Sequence, residues 1–405
     1  MADYVIIGAG LAGASAAIAL REHNADGGVM LIGAEDDPPY ERPPLSKGYL
    51  RGAVPLEKLL VRPAAFYPDH NIDTLFGSRV SGVDASRRIV DIEGGRRVPY
   101  DSLLIATGAR NRQAAIPGSD LEGVHSLRSI RDADRLRAAM APGRSAVVAG
   151  MGFIGCEVAA SLRHEQVGVT AIDPGKFPLA RILGDAVGAR LAALHESYGV
   201  RTIFNDSVAA IEGRGRVEAV VTTAGLRIPC ELVVIGVGVE PAVDFLDGSG
   251  VHLDNGVVVD EYCATNIAGI HAAGDVANHY HRVFGRHIRV EHWQNAMRQG
   301  AAAAKNMLGL HEAYDEIPWF WSDQYDANLQ YAGYHTSYDE LVVRGTLDSA
   351  SFAVFYMNGG VIAAVAAVNN ARDVRRAMPL IKARRPVDPA RLRDDRVDLR
   401  QLLSM

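Results

Sequence analysis

Two six-residue stretches, Gly8-Ala9-Gly10-Leu11-Ala12-Gly13 and Gly150-Met151-Gly152-Phe153-Ile154-Gly155, carry glycine at the spacing GxGxxG. Each follows an apolar strand and opens a helix, the context that gives this common pattern its meaning. The first glycine allows a tight turn. The second lets a pyrophosphate approach the backbone, and the third lets helix and strand pack closely while the helix N–H groups face the anion. A dinucleotide site also needs an acid near the end of the next strand to accept from a ribose hydroxyl. Glu35 stands 22 residues after Gly13, within the run Glu35-Asp36-Asp37, which offers three carboxylates for that contact. Asp173 stands 18 residues after Gly155. An acid at that place repels a 2′-phosphate and so favours NADH over NADPH, with Lys176 close by as an offsetting charge. The alternative role for Asp173 is to cap the Pro174-Gly175 turn.

Other chemistries have no residues to perform them. Cys156, Cys230 and Cys263 form no CxxC or CxxxxC pair, so neither a redox disulfide nor a disulfide framework is expected. The 13 histidines show no HExxH and no Cys/His cluster, so no metal site is predicted. Two dinucleotide sites in one chain imply two dinucleotides, because one hydride donor needs one acceptor held beside it; FAD with NAD(H) is the natural pair.

The elements that must position these residues are legible as a repeat. Tyr4-Val5-Ile6-Ile7 and Ser145-Ala146-Val147-Val148-Ala149 are buried strands, followed by helices over Ala14 to Arg21 and Cys156 to Arg163. Second strands, Val29 to Ile32 and Val169 to Ile172, complete each parallel unit. After Pro318 the texture changes to alternating runs such as Leu341-Val342-Val343 and Phe352 to Tyr356, which predict an antiparallel sheet. The fold class is therefore α/β: two Rossmann-type three-layer domains of the glutathione-reductase-like kind plus a C-terminal α+β domain. The expected boundaries are residues 1–111 with 245–318 for FAD, 112–244 for NAD, and 319–405 for the last domain.

With 405 residues, 48% hydrophobic and 22% charged, the chain is long enough for two or three compact domains. A net charge of -6 argues against nucleic acid as a partner. Unpaired cysteines suit a reducing cytoplasm, and no apolar run is long enough to span a bilayer. The apolar opening from Tyr4 to Leu20 lacks a basic n-region and carries patterned glycines, so it reads as a nucleotide-binding unit and not a leader.

Further segments carry a family resemblance. Pro39-Tyr40-Glu41-Arg42-Pro43-Pro44-Leu45-Ser46-Lys47, Ala106-Thr107-Gly108-Ala109-Arg110, Ala273-Gly274-Asp275-Val276-Ala277, Val290-Glu291-His292-Trp293-Gln294-Asn295-Ala296 and Pro318-Trp319-Phe320-Trp321-Ser322-Asp323-Gln324 occur in this order. Together they resemble the NADH-dependent ferredoxin reductases of oxygenase systems, members of the FAD-dependent pyridine nucleotide-disulfide oxidoreductase superfamily that lack the redox disulfide. The resemblance implies that the first glycine motif and Glu35 hold the adenosine half of FAD, with Gly274 and Asp275 at the ribityl chain. It places Arg42 and Lys47 beside the flavin, Lys47 paired to Glu157, Trp321 near the isoalloxazine ring, and Thr107, Gly108 and Arg110 along the same cofactor. A buried ammonium near the flavin would stabilise the reduced ring's anion, and Glu157 would limit its desolvation penalty; the bland alternative is a surface lysine and an ordinary helix glutamate. Glu291 falls on the nicotinamide side, Trp293 and Trp321 are cofactor contacts or, as aromatic residues more often are, core, and Gly238 and Glu240 follow a strand bordering the NADH cleft. His292, where relatives often carry a small residue, either touches that pocket or fills the core. Relatives often carry an acid where Ala34 stands here, which shifts the ribose contact to Glu35.

The implied activity is electron transfer from NADH through flavin to a two-iron, two-sulfur ferredoxin that feeds a haem monooxygenase or a ring-hydroxylating dioxygenase. Residues 371–405 hold ten Lys/Arg against five Asp, and Arg372, Arg375 and Arg376 are the candidates for steering an acidic carrier. Alternatives with the same cofactors are a rubredoxin reductase, an NADH oxidase, or a redox-responsive interaction protein resembling apoptosis-inducing factor.

Overall fold

The computed structural model describes residues 4–403; Met1–Asp3, Ser404 and Met405 lie outside the described residues, including the outermost positions of the expected first and last domains. The chain divides into two compact units, Met1–Glu41 with Leu56–Arg110 and Glu240–Trp319, and Arg42–Pro55 with Asn111–Val239 and Phe320–Met405.

In the first unit a five-stranded parallel sheet runs in the order Ile270–Ala272, Ser102–Ile105, Tyr4–Ile7, Val29–Ile32, Ile72–Leu75. Tyr4–Ile7 is central and the chain leaves it first to one side and later to the other. That reversal opens a crevice at its carboxyl end, where ligands of such sheets bind. The strands are nearly continuous apolar runs because helices cover a parallel sheet. The Leu11–Glu22 helix buries mostly small residues, among them Ala12, Gly13, Ala16 and Ala17, with Leu20 toward its end, and packs on the Trp293–Met307 helix. A side-chain carbon on Gly300 would sit 2.2 Å from the carbonyl of Ala12, so this crossing depends on glycine.

The second unit repeats the arrangement in the order Arg201–Phe204, Gly168–Asp173, Ser145–Ala149, Leu232–Ile235, Val124–His125. Ser145–Ala149 is again the central strand, with the Phe153–His164 helix following it. Each unit also holds a three-stranded antiparallel meander that the sequence reading did not anticipate: Val80–Asp84, Ile89–Ile92, Arg97–Pro99 in one, and Val208–Glu212, Ala219–Thr222, Arg227–Pro229 in the other.

The C-terminal part of the second unit is an antiparallel sheet ordered Trp319–Gln324, Ala327–Gly333, Val361–Val368, Phe352–Asn358, Glu340–Arg344. The alternating pattern expected of it fails in the middle, since every residue from Phe352 to Met357 and from Ile362 to Val368 is buried. These inner strands are covered on both faces, with the Ala371–Ala383 helix on one and the Tyr356 hydroxyl donating to the Leu183 carbonyl on the other. Arg344, itself buried, donates its Nε–H to Asp373 on the Ala371–Ala383 helix and its other N–H groups to the carbonyls of Leu392, Asp394, Asp395 and Val397, which fastens the end of the chain to the sheet. Among the described residues no helix is long and apolar enough to cross a membrane.

Candidate functional site

The three glycines of the first motif are required for three separable reasons. Gly8 has φ +110°, and a side-chain carbon there would lie 2.2 Å from the Ala106 carbonyl. On Gly13 it would lie 1.9 Å from the Gly8 carbonyl, so only glycine lets the helix start against the strand. Gly10 differs: its backbone, φ -80° and ψ -172°, suits any residue, and an added carbon meets no protein atom within 4 Å. Neither packing nor conformation demands glycine at that place. The demand fits a group from outside the chain that must come close to the backbone, at a helix N-terminus whose cap carries no side-chain hydrogen bond. Leu11 and Ala12 form the first turn behind it.

Around this loop the first unit gathers most of the expected contacts. Glu35, half-buried, accepts at 2.6 Å from the hydroxyl of buried Tyr40, a partner the sequence reading passed over. Thr107 donates its hydroxyl to the Ala242 carbonyl at 2.8 Å, and Gly108 turns at φ +67°. Arg110, expected along the cofactor, has its guanidinium engaged by Glu240 at 2.8 Å and by both oxygens of Asp244, with half its side chain exposed. Gly274 is confined: a side-chain carbon there would meet Cβ of Ala12 at 2.9 Å, and its N–H donates to the fully buried Gln299. Arg289 donates to the Asp275 carbonyl at 3.1 Å and to Glu291 at 2.6 Å, joining two expected site residues through one that sequence spacing does not mark. His292 caps the Trp293–Met307 helix, and burial lowers its imidazole to about 3, so the ring is neutral. Trp293 begins that helix, and burial raises the Glu41 carboxyl.

The second loop is a near copy in the second unit. Gly150 has φ +97°, a carbon on Gly155 would lie 1.9 Å from the Gly150 carbonyl, and one on Gly152 would meet nothing within 4 Å. Asp173 accepts from the N–H of Met151 at 2.6 Å and of Gly175 at 2.7 Å. It therefore does cap the turn, and it also ties the glycine loop to the end of its strand. Each carboxylate oxygen keeps a second lone pair, so these bonds leave capacity for a ribose hydroxyl. Lys176 is paired with Asp185 at 2.7 Å, which weakens it as a counter-charge for a 2′-phosphate. Ile154 and Val237, next in sequence to Phe153 and Gly238, are 45% and 43% exposed.

Lys47 and Glu157, 110 positions apart, form an ion pair of 2.7 Å, with side chains 15% and 4% exposed. Glu157 also accepts from Ser46 at 2.5 Å and Ser322 at 2.7 Å, so both its oxygens are held. A buried carboxylate survives only with such compensation. Arg42 donates to the Arg128 carbonyl, and the Trp321 indole donates to Asp323 at 3.1 Å. No thiol substitutes for the ammonium: all three cysteines are free and buried, and burial raises each, Cys230 to about 11. Among the described residues no cluster of three or more His, Cys, Asp or Glu can hold a metal ion. The first glycine loop, Glu35, Asp275 and Glu291 thus belong to one unit, and Lys47, Glu157, Asp173 and Trp321 with the second loop to the other.

Residues 2–300 match the family model for pyridine nucleotide-disulphide oxidoreductase, and residues 319–403 match the reductase C-terminal domain. The chain is 41% identical over 401 residues to the anthranilate 1,2-dioxygenase system ferredoxin–NAD(+) reductase component of Burkholderia cepacia, covering 99% of both chains. It is 38% identical over 403 residues to rhodocoxin reductase of Rhodococcus erythropolis, covering 99% of this chain and 94% of that one. Its fold matches the reductase in the crystal structure of the covalent putidaredoxin reductase–putidaredoxin complex with a TM-score of 0.96 at 34% identity, over 99% of this chain and 98% of that one.

Proposed function

The chain belongs to the pyridine nucleotide-disulphide oxidoreductase family and carries the reductase C-terminal domain, and from that premise we propose that it is an FAD-dependent NADH:ferredoxin oxidoreductase. Its acceptor is a two-iron, two-sulfur ferredoxin that delivers electrons to a haem monooxygenase or ring-hydroxylating dioxygenase. The observation that carries this reading is the pairing of two open glycine loops at two sheet switch points with a Lys47–Glu157 ion pair in a chain without a redox disulfide.

When bound, FAD supplies acceptance of a hydride from NADH and release of single electrons to the ferredoxin. The chain's residues bind and orient. Gly8, Gly10, Leu11, Ala12 and Gly13 cradle the FAD pyrophosphate, Glu35 takes a ribose hydroxyl, and Thr107, Gly108, Arg110, Gly274 and Asp275 line the remainder. Gly150, Gly152, Phe153, Ile154, Gly155, Asp173 and Gly238 receive NADH, with Glu291, His292 and Trp293 assigned to the nicotinamide. Lys47, oriented by Glu157, supplies positive charge to the flavin, and Arg42 and Trp321 serve the same cofactor. Within this reading the FAD domain is 1–111 with 245–318, the NAD domain 112–244 and the C-terminal domain 319–405, and the protein works in the cytoplasm.

The test is anaerobic. Purified yellow protein is mixed with NADH or NADPH, flavin bleaching is followed, and a two-iron ferredoxin is then added. Rapid bleaching by NADH and reduction of the ferredoxin are expected. Absence of bound flavin, or bleaching without transfer to any such carrier, would sink the assignment and favour a redox-responsive interaction protein.

A further inference from the structure

Glu157 is the end of a longer buried chain of hydrogen bonds lying wholly in the second unit. Ser322 Oγ is 2.7 Å from Glu157 Oε1, Gln324 Nε2 is 3.1 Å from Ser322 Oγ, His195 Nε2 is 3.1 Å from Gln324 Oε1, and Tyr325 Oη is 3.0 Å from His195 Nδ1. Ser322, His195 and Gln324 are at most 1% exposed. Four stretches distant in sequence meet here: the Ala180–Ser197 helix, the Trp319–Gln324 strand, the Phe153–His164 helix and the Pro43–Ser46 turn.

Every link has a forced direction. A carboxylate only accepts, so Ser322 donates to Glu157; its oxygen is then free to accept from the Gln324 amide, whose carbonyl turns toward His195. A carbonyl also only accepts, so His195 carries its proton on Nε2. Burial lowers this imidazole to about 4, so it is neutral and Nδ1 accepts from the Tyr325 hydroxyl. All the dipoles point their positive ends at Glu157. The tautomer of one histidine thus decides which way Gln324 faces. If Gln324 turned over, Ser322 would donate to it, and Glu157 Oε1 would lose its hydroxyl donor.

We propose that His195 and Gln324 are positioning residues for the Lys47–Glu157 pair: they fix the Ser322 proton on Glu157 and so set how much of the Lys47 charge the carboxylate cancels. The chain is not a proton wire, because an amide cannot pass a proton without becoming an imidic acid. This inference rests on the reading that Lys47 acts on the flavin. A carboxylate deprived of its aligned donors presents more negative charge, which disfavours the reduced flavin anion and lowers the flavin midpoint potential.

The experiment uses the FAD-loaded full chain and two readouts: the flavin midpoint potential and the side-chain 15N shifts of His195 and Lys47. Lys47→Met and Glu157→Gln come first; if neither moves the potential, the flavin role of Lys47 fails, and the 15N shifts then judge the chain alone. His195→Phe and Gln324→Leu are expected to lower the potential enough to change the reduced-to-oxidised ratio about tenfold, roughly 30 mV for a two-electron couple. His195→Gln, which keeps a donor at the ε position, is expected to restore it. Should His195→Phe fail to fold, Tyr325→Phe removes only the outermost hydroxyl and shifts the potential the same way by less. Wild-type His195 is expected as the Nε2–H tautomer. The opposite tautomer, a Lys47 15N shift unmoved by Gln324→Leu, or a potential that responds at Lys47 but not at His195 and Gln324, would overturn the proposal.

Discussion

The sharpest separation the structure permits is among glycines one or a few residues apart. Gly10→Ala and Gly13→Ala add the same methyl group to the same loop, yet the surroundings differ completely. On Gly13 the methyl would lie 1.9 Å from a backbone oxygen that cannot move without displacing the strand. Overpacking destabilises by about 1–3 kcal/mol and occasionally more; against an immovable backbone oxygen the upper end is expected, and the variant should be measurably less stable even without cofactor. On Gly10 the methyl meets no protein atom within 4 Å, and the backbone is already in a region open to alanine. Restricting the unfolded chain stabilises by about 0.4–1 kcal/mol, and the loss of a glycine cap removes about the same. The apoprotein should therefore keep its stability within ~1 kcal/mol. What it should lose is flavin. One charge-assisted backbone bond to a pyrophosphate is worth about 1.5–3 kcal/mol, so the FAD dissociation constant should rise roughly ten- to hundredfold. Thermal unfolding of apoprotein and fluorescence titration with FAD read the two effects separately. Gly152→Ala should show the complement: normal flavin content and a ten- to hundredfold weaker NADH dissociation constant. FAD affinity within twofold of wild type for Gly10→Ala, or a loss of apoprotein stability equal to that of Gly13→Ala, would refute the assignment of the open space to a ligand.

Asp173→Asn removes the charge and keeps only one of the two oxygens that accept from the Met151 and Gly175 N–H groups; discrimination against NADPH should fall by about tenfold or more, at an interaction of ~2–3 kcal/mol per unit charge in a partly solvated cleft. Equal NADPH use by wild type and variant in the bleaching assay would remove Asp173 from cofactor choice. Arg372 and Arg375 are exposed, whereas Arg376 is paired with Asp398 at 3.2 Å; Arg372→Glu with Arg375→Glu should slow ferredoxin reduction at low salt and flatten its salt dependence, and an unchanged salt profile would exclude steering from this helix. Burial lowers His195, His271 and His335 to about 4 and His279 and His292 to about 3. The unfolded chain, with histidines near the ordinary value of about 6.5, binds more protons over that interval. The stability these groups confer is thus fully present above about pH 6.5 and declines as pH falls toward their folded values, by up to ~3 kcal/mol per group. Urea midpoints at pH 7.5 and pH 5 should differ clearly, while those at pH 7.5 and pH 9 should not differ on account of these groups; coincident midpoints at 7.5 and 5 would contradict the buried, neutral histidines.

How much was legible follows the distance over which each feature is encoded. The glycine loops are local, so spacing alone places Gly8, Gly13, Gly150 and Gly155 where the structure needs them. Asp173 was readable as an acid at a strand end, but its hold on Met151, 22 residues earlier, was not. The Lys47–Glu157 pair came only through family resemblance, because nothing in a window around either residue announces a partner so remote. Of its supports, Ser46, Ser322 and Gln324 lie in the segments that carry the resemblance but had no role there, and His195 left no signal, being an ordinary polar residue made significant by tertiary approach. Tyr40, Arg289 and Gln299 were missed for the same reason. The C-terminal strands were misjudged because a sheet covered on both faces erases the alternation that identifies a half-exposed one. The two meanders went unread, since short strands such as Arg97–Pro99 and Arg227–Pro229 alternate around single buried residues.

The close match of the two glycine loops has a consequence for how such a chain can be altered. Their turns open at φ +110° and +97°, their cap residues share ψ -172°, and the same 1.9 Å restriction recurs at the closing glycine. As backbone parts they are interchangeable, so the loops themselves cannot tell one dinucleotide from the other. The side chains between the glycines are not interchangeable: Ala12 is buried against Gly274 and Gly300, where the Ile154 of the other loop, 45% exposed in its own place, would not fit. The identity of each ligand is written outside the cradle, in Glu35 and Asp173 and the strands that carry them. Coenzyme preference and flavin retention are therefore separately tunable by editing, as adjustments to the walls around two castings from one mould.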